Sequence, residues 1–119
     1  MSAILTASSD DGERRQTERK PLSVRVRFTP TGRPEMEVRS VDISTTGMSV
    51  VSDLNLAAST ACNVGFSLPQ GDGTQFKVVL SARVAHSTYS GQRMGFVNGL
   101  QFKNVPAETQ AALTRYVKG

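Results

Sequence analysis

A cluster of arginines near the N-terminus has the strongest binding chemistry in the sequence. Arg15 and Arg19 are spaced as R-x-x-x-R just ahead of the first predicted strand, and Arg14 precedes them. A guanidinium group can pair with phosphate through two hydrogen bonds, donate to the O6 and N7 atoms of guanine, and stack on an aromatic plane. The same spacing also fits a solvated helical turn with charged neighbours four residues apart. The arginines alone leave both interpretations open.

A second polar group follows the pattern D-x-S-x-x-G and comprises Asp42, Ser44 and Gly47. If a strand ends at Ser44, the Asp42 and Ser44 side chains point to the same face, because side chains alternate along a strand. We expect Gly47 to adopt a positive φ in a tight turn whose open backbone can lie close to a ligand. A turn that is stabilised by its own Asp or Ser side chain would give the same pattern without a ligand.

The composition favours a single domain in a reducing compartment. The chain has 119 residues, which suits one domain with its own core, and its one cysteine, Cys62, cannot form an internal disulfide. No stretch has the apolar length of a membrane span or the layout of a signal peptide. We therefore expect a cytoplasmic protein that has no membrane partner.

Positive charge is concentrated in one segment of the chain. Six basic and two acidic residues between positions 13 and 27 account for the whole formal net charge of +4. This concentration suggests an anionic partner that docks at one place, although a basic leader that aids solubility is the alternative. Barrels that bind nucleic acid usually expose aromatic rings among basic residues. Because the phenylalanines here fall in the apolar phase of the predicted strands, we expect no nucleic-acid partner.

Alternating apolar and polar residues predict a mainly β fold. The predicted strands cover residues 22–29, 36–43, 48–51, 62–68, 76–86 and 94–102. In the second strand the apolar phase changes, which indicates a β-bulge near Ser40. Gly95 and Gly99 lie on the face opposite the apolar residues of the last strand, where a closed sheet often needs close approach or bending.

The C-terminal segment changes to a helical period. Four apolar residues between positions 112 and 117 form one stripe, and Pro106 suits a first helical turn, so we predict an amphipathic helix over residues 106–117. Asn104 and Val105 are both candidates for the N-cap. Together the patterns predict a six-stranded antiparallel β-barrel with a C-terminal α-helix that covers one open end.

The order and spacing of the two polar groups resemble the PilZ domain family. R-x-x-x-R precedes the first strand, D-x-S-x-x-G lies at the second hairpin, and G-L-Q-F at residues 99–102 ahead of a helix is similar to that family's ending. The resemblance covers residues 14–119 and implies a nucleotide-binding arm at residues 14–20. Because residues 1–13 are mostly small and polar and have no apolar period, we expect them to form a flexible leader. The resemblance also implies a barrel that binds the bacterial second messenger cyclic di-GMP.

The resemblance implies that the two polar groups form the ligand site. Arg15 and Arg19 would hold phosphate or guanine, and the two phosphates of the ligand match the charge of the arm. Asp42 would accept from the two N–H donors on the Watson–Crick edge of guanine, a donor pair that adenine lacks. Ser44 would add a hydroxyl contact, and Gly47 would keep the turn open.

Arg14 and His86 are further candidates. In PilZ domains the residue at the position of Arg14 is associated with binding of one nucleotide or a stacked pair, and an arginine there resembles the two-molecule arrangement. His86 lies where some relatives place a large ring near the ligand, and its inward phase could set the imidazole against a guanine. A solvated Arg14 and a structural His86 remain open alternatives.

The sequence contains few residues that are suited to catalysis. It has one histidine and one cysteine, no closely spaced pair of carboxylates and no cluster with metal-ligand spacing, so we expect no enzyme, no metal and no cofactor. The favoured hypothesis is a receptor in which cyclic di-GMP orders the arginine arm over the barrel and creates a surface for a downstream protein partner. The alternative is a PilZ-like protein-interaction module that binds no nucleotide.

Overall fold

The computed structural model describes residues 18–119, which form seven strands and one helix. The elements are β1 (Lys20–Pro21), β2 (Arg25–Pro30), β3 (Met36–Ile43), β4 (Gly47–Ser52), β5 (Ala61–Pro69), β6 (Gln75–Ser90), β7 (Gly95–Lys103) and α1 (Ala107–Lys118). Six strands follow one another in the order β3-β2-β5-β6-β7-β4, and a β3–β4 pairing closes the ring. All of these pairings are antiparallel, which confirms the predicted six-stranded barrel with a C-terminal helix.

Alternation along the strands fills the interior of the barrel. Phe28, Met48, Val64 and other apolar residues of the inward phase are almost completely buried. Burying each such side chain contributes about 1.5–3 kcal/mol relative to leaving it exposed. Leu113 of α1 packs into the same core. The outward-facing residues of the same strands are therefore free of the core and available to form a surface site.

Two irregularities change the phase of the strands. The register between β3 and β4 shifts between Ser40 and Asp42, which confirms the predicted bulge. A second shift, which was not predicted, falls in β6 between Val84 and His86, and β6 continues to Ser90 instead of ending at His86. Because a bulge moves the following side chain to the other face, His86 is exposed on the outside of the barrel. The predicted inward phase of His86 is wrong.

The helix begins one residue later than predicted. Its N-cap is Pro106, and neither Asn104 nor Val105 occupies that position. Pro106 has an extended backbone (ψ 153°) and no side-chain cap, and its carbonyl accepts from the backbone N–H of Gln110 at 2.9 Å. Asn104 instead adopts a left-handed φ of 53°, a conformation that Asn tolerates better than most residues.

The start of the described chain is anchored to both the barrel and the helix. In β1, Lys20 and Pro21 pair with the end of β3. The Lys20 ammonium donates to the carbonyl of Tyr116 at 3.0 Å and lies 4.8 Å from the centre of its ring. The Tyr116 hydroxyl donates to the Pro21 carbonyl at 2.7 Å. These contacts fix the position at which Arg19 meets the barrel.

Candidate ligand-binding site

The fold brings together one residue from each predicted polar group. Arg19 Nη1 donates to Asp42 Oδ1 at 2.7 Å. β1 holds Arg19 there, because Pro21 pairs directly with Asp42 on β3. The two side chains are 46% and 29% exposed, so solvent screens the ion pair and it adds only about 0.2–1 kcal/mol to stability. Both groups remain accessible to a ligand.

Ser44 holds the turn together. Its side chain is fully buried, and its Oγ accepts from the backbone N–H of Thr46 at 3.2 Å and of Gly47 at 3.1 Å. The Ser44 backbone N–H also donates to the Gly47 carbonyl at 2.8 Å. The expectation that Ser44 shares an open surface with Asp42 is wrong, because its hydroxyl faces the backbone of its own turn.

A glycine is needed at position 47 because the neighbouring strand packs closely there, and not because the backbone has a positive φ. Among residues 18–119 the glycines with a positive φ are Gly32 and Gly73, so the predicted left-handed conformation of Gly47 is wrong. Gly47 pairs with Gln101 on β7, and a Cβ on Gly47 would collide with the backbone carbonyl oxygen of Leu100. The glycine thus lets the turn lie directly against β7.

A row of paired residues crosses four strands on the outer face. Asp42 of β3 pairs with Ser49 of β4, Ser49 pairs with Gly99 of β7, and Gly99 pairs with His86 of β6. Neighbouring strands lie about 4.8 Å apart, so the two ends of the row are about 14 Å apart along the sheet. The row has a carboxylate at one end and an imidazole at the other.

The imidazole of His86 lies over Gly99. A Cβ on Gly99 would overlap the ring atoms Nε2 and Cε1, which confirms the close approach that the sequence indicated at Gly99. Because Gly99 has no side chain, the ring extends from β6 across β7 towards the middle of the row. His86 therefore borders the site from outside the barrel, where the second bulge places it.

Arg19 and His86 line the same surface pocket of about 310 Å³. Its other lining residues are Thr46, Gly47, Ala85, Gly99, Leu100 and Gln101. This volume is at the lower end of the range for small-molecule sites, about 300–1,000 Å³. A larger groove of about 810 Å³, bordered by Arg39, Arg93 and Tyr116, contains no residue of either predicted group. We favour the smaller pocket because it combines charge, a ring and open backbone.

Several residues of this site were not predicted. Thr46 lies within the D-x-S-x-x-G spacing, so the motif itself could have indicated it. Ser49 and Gln101 become neighbours of the motif residues only through pairing across strands, and the sequence alone does not give this register. Arg14 and Arg15 lie outside the described residues.

Other reactive chemistry is scarce in the described part of the chain. Burial raises the pKa of the Cys62 thiol to about 11, so this thiol is protonated at neutral pH. Residues 18–119 contain no group of three or more His, Cys, Asp or Glu side chains that could hold a metal ion. The helix in that range, α1, is not long and apolar enough to cross a membrane.

A closed six-stranded antiparallel barrel with a C-terminal helix is the architecture of a PilZ domain. The family model of the PilZ domain matches residues 13–119, and the chain belongs to this family. A comparison with curated protein sequences found no significant match.

Three solved structures have a similar fold. The inhibitor of motility MotI/DgrA from Bacillus subtilis has a TM-score of 0.77 and 22% identity; the match covers 88% of this chain and 50% of that protein. The PilZ domain of CeSA from a cellulose-synthesising bacterium has a TM-score of 0.60 and 19% identity; the match covers 87% of this chain and 97% of that domain. The PilZ domain of YcgR from Escherichia coli, solved with cyclic di-GMP, has a TM-score of 0.62 and 16% identity; the match covers 88% of this chain and 89% of that domain. At these identities the likeness shows the fold.

Proposed function

We propose that this protein binds cyclic di-GMP on the outer face of the barrel, at the Arg19–Asp42 pair. The observation that carries the proposal is the 2.7 Å contact between these residues, which are 23 positions apart and belong to the two separate motifs. The family membership supports it, and so does the YcgR domain, whose solved structure includes cyclic di-GMP.

Asp42 is suited to reading guanine. A carboxylate has two acceptor oxygens, so Asp42 can keep Arg19 on Oδ1 while Oδ2 accepts from the N–H donors of a guanine edge. Arg19 can donate further N–H groups to a phosphate or stack on the base, because its guanidinium has five donors and a flat face. The existing ion pair thus orients both groups before a ligand arrives, which lowers the entropy cost of binding.

Arg14 and Arg15 complete the site in this proposal. They precede Arg19 on the arm, and the anchored Lys20 keeps the base of that arm at the edge of the pocket. Two phosphates would attract these arginines onto the ligand, and ordering of the arm would be the signal that a downstream protein partner reads. His86 would offer a ring to one guanine, and Arg14 would favour a stacked pair of nucleotides.

One observation favours the alternative, a protein-interaction module without nucleotide binding. The groove of about 810 Å³ is larger than the pocket beside Arg19, and its lining contains no residue of either motif, although it borders Asp42 through Val41 and Pro21. Arg39 and Arg93 on its border would suit an acidic partner. Such a module would recognise its partner with no dependence on Asp42.

Isothermal titration calorimetry with cyclic di-GMP tests the proposal, with GTP as the ligand control. We expect Arg15→Ala, Arg19→Ala and Asp42→Asn each to weaken binding at least about tenfold, because each removes hydrogen bonds to a charged group. Arg33→Ala is the matched control: Arg33 is exposed in the turn before β3, at the opposite end of that strand from Asp42. Its affinity should equal that of the wild type, and the fitted stoichiometry decides whether one or two nucleotides bind.

Absence of wild-type binding at tens of micromolar would overturn the receptor proposal and leave the interaction module. If the arginine variants lose affinity while Asp42→Asn keeps it, charge and not guanine recognition dominates. Far-UV circular dichroism checks that each variant is folded, because the chain has no tryptophan to report by fluorescence. The half-exposed ion pair predicts a stability loss below about 1 kcal/mol for Asp42→Asn.

A further inference from the structure

We propose that Gln101, oriented by Arg83, is a specificity-determining residue that donates its side-chain amide to the acceptor edge of guanine. This inference rests on the proposed function and adds a base contact from a strand that carries neither motif. Gln101 lines the pocket beside Arg19 and His86.

The register places Gln101 between Gly47 and Arg83. On β7, Gln101 pairs with Gly47 of β4 on one side and with Arg83 of β6 on the other. Gly47 and Gln101 line the same pocket as Arg19, so one side of Gln101 borders that pocket. The Gln101 side chain is exposed on the outer face, as is that of Arg83.

Arg83 fixes which end of the carboxamide faces the pocket. Its Nε donates to Gln101 Oε1 at 3.1 Å. A guanidinium carries only donors, so it can contact the carboxamide oxygen but not the NH₂ group. The hydrogen bond therefore leaves Nε2, with two N–H donors, directed away from Arg83.

This orientation selects between the two purine bases. A free glutamine pairs with adenine through both ends of its amide, because adenine offers an N6 donor beside the N7 acceptor. With Oε1 turned towards Arg83, the Nε2 donors of Gln101 face the pocket, where they match the two acceptors of guanine, O6 and N7, whereas adenine offers the N7 acceptor beside a donor. Asp42 would accept from the Watson–Crick edge, so the two side chains recognise different edges by opposite chemistry. Arg83 acts through Gln101 and is a positioning residue.

Titrations of cyclic di-GMP and cyclic di-AMP into Gln101→Met and Arg83→Met test the inference. Gln101→Met keeps the side-chain length and removes the amide donors, so cyclic di-GMP affinity should fall about three- to tenfold. Cyclic di-AMP affinity should fall less, because adenine offers these donors one acceptor, N7, and not two. Arg83→Met frees Oε1 and should improve cyclic di-AMP binding relative to cyclic di-GMP. In the double variant, Arg83→Met should cause no further change in the ratio of the two affinities.

Lys103→Met is the matched control, because Lys103 is exposed on the same face of β7 and pairs with Ser81, away from the pocket. It should leave the affinity ratio unchanged. An unchanged ratio in Gln101→Met would overturn the inference, and an equal loss for both dinucleotides would also overturn it by indicating a phosphate contact. Wild-type protein that binds no cyclic di-GMP would overturn the proposed function itself, which is a separate outcome.

Discussion

Replacing Gly47 and Gly99 with alanine separates two reasons for a glycine on the outer face. A Cβ on Gly47 would meet the backbone carbonyl oxygen of Leu100, whereas a Cβ on Gly99 would meet the side-chain ring of His86. The carbonyl belongs to the β4–β7 pairing and cannot move without disturbing that pairing. The ring can rotate away about its side-chain torsions.

We expect Gly47→Ala to lower the free energy of unfolding by about 1–3 kcal/mol, the usual cost of adding a methyl group to a filled site. In a domain of this size, such a loss lowers Tm by at least about 4 °C. For Gly99→Ala, reduced freedom of the unfolded chain stabilises by about 0.4–1 kcal/mol. A strained His86 rotamer costs about 0.5–1.5 kcal/mol, so the net change should lie within about 1 kcal/mol of zero.

Urea denaturation followed by far-UV circular dichroism measures both effects. Gly71→Ala is the control, because nothing lies within 4 Å of a Cβ built at Gly71. The His86 ring resonances should shift in NMR spectra of Gly99→Ala and stay in place in Gly71→Ala. If Gly47→Ala is as stable as the control, the close approach of the turn to β7 is refuted.

The remaining predictions concern buried and anchoring groups. Because burial raises the pKa of Cys62 from 9.0 to about 11, its thiol should react with iodoacetamide at pH 8 far more slowly in the native protein than in urea. Stability should fall as pH rises from about 9 to 11, because the unfolded thiol ionises first. Asn98→Ala should cost about 1–3 kcal/mol in urea titrations, because it removes the buried donor to the Leu54 carbonyl; unchanged stability would contradict this role. Tyr116→Phe should cost about 0.5–1.5 kcal/mol in thermal unfolding by removing the bond to Pro21, and an unaltered Tm would argue against the anchor.

The barrel could be predicted because strand alternation is local information. Apolar residues at every second position indicated the inner face, and the phase change in the second strand revealed the bulge at Ser40. The bulge between Val84 and His86 is not accompanied by a phase change in the sequence. The following residues, Ser87–Ser90, have no apolar period that could show the shift, so the side on which His86 lies could not be predicted.

The motifs predicted which two residues of the candidate site come into contact, but not its other residues or the role of each residue. The two motifs pointed to Arg19 and Asp42, which the fold brings into contact. Ser44 was expected to contact the ligand and Gly47 to keep the turn open, yet Ser44 holds the backbone of the turn and Gly47 allows β7 to approach. A turn and a ligand site both favour a small polar residue and a glycine, so spacing alone cannot separate them. The place of Gln101 in the site depends on the pairing register between strands, which the local sequence does not determine.

Backbone NMR during a titration with cyclic di-GMP tests most directly that the Arg19–Asp42 pair marks the ligand site. We expect the largest amide shifts at Arg19, Thr46 and Gly99, on the outer face where the two motifs meet. We also expect Asp42→Asn to reduce these shifts at the same ligand concentration. Shifts confined to the groove around Arg39 and Arg93, or no shifts at a large excess of ligand, would contradict this placement of the ligand site.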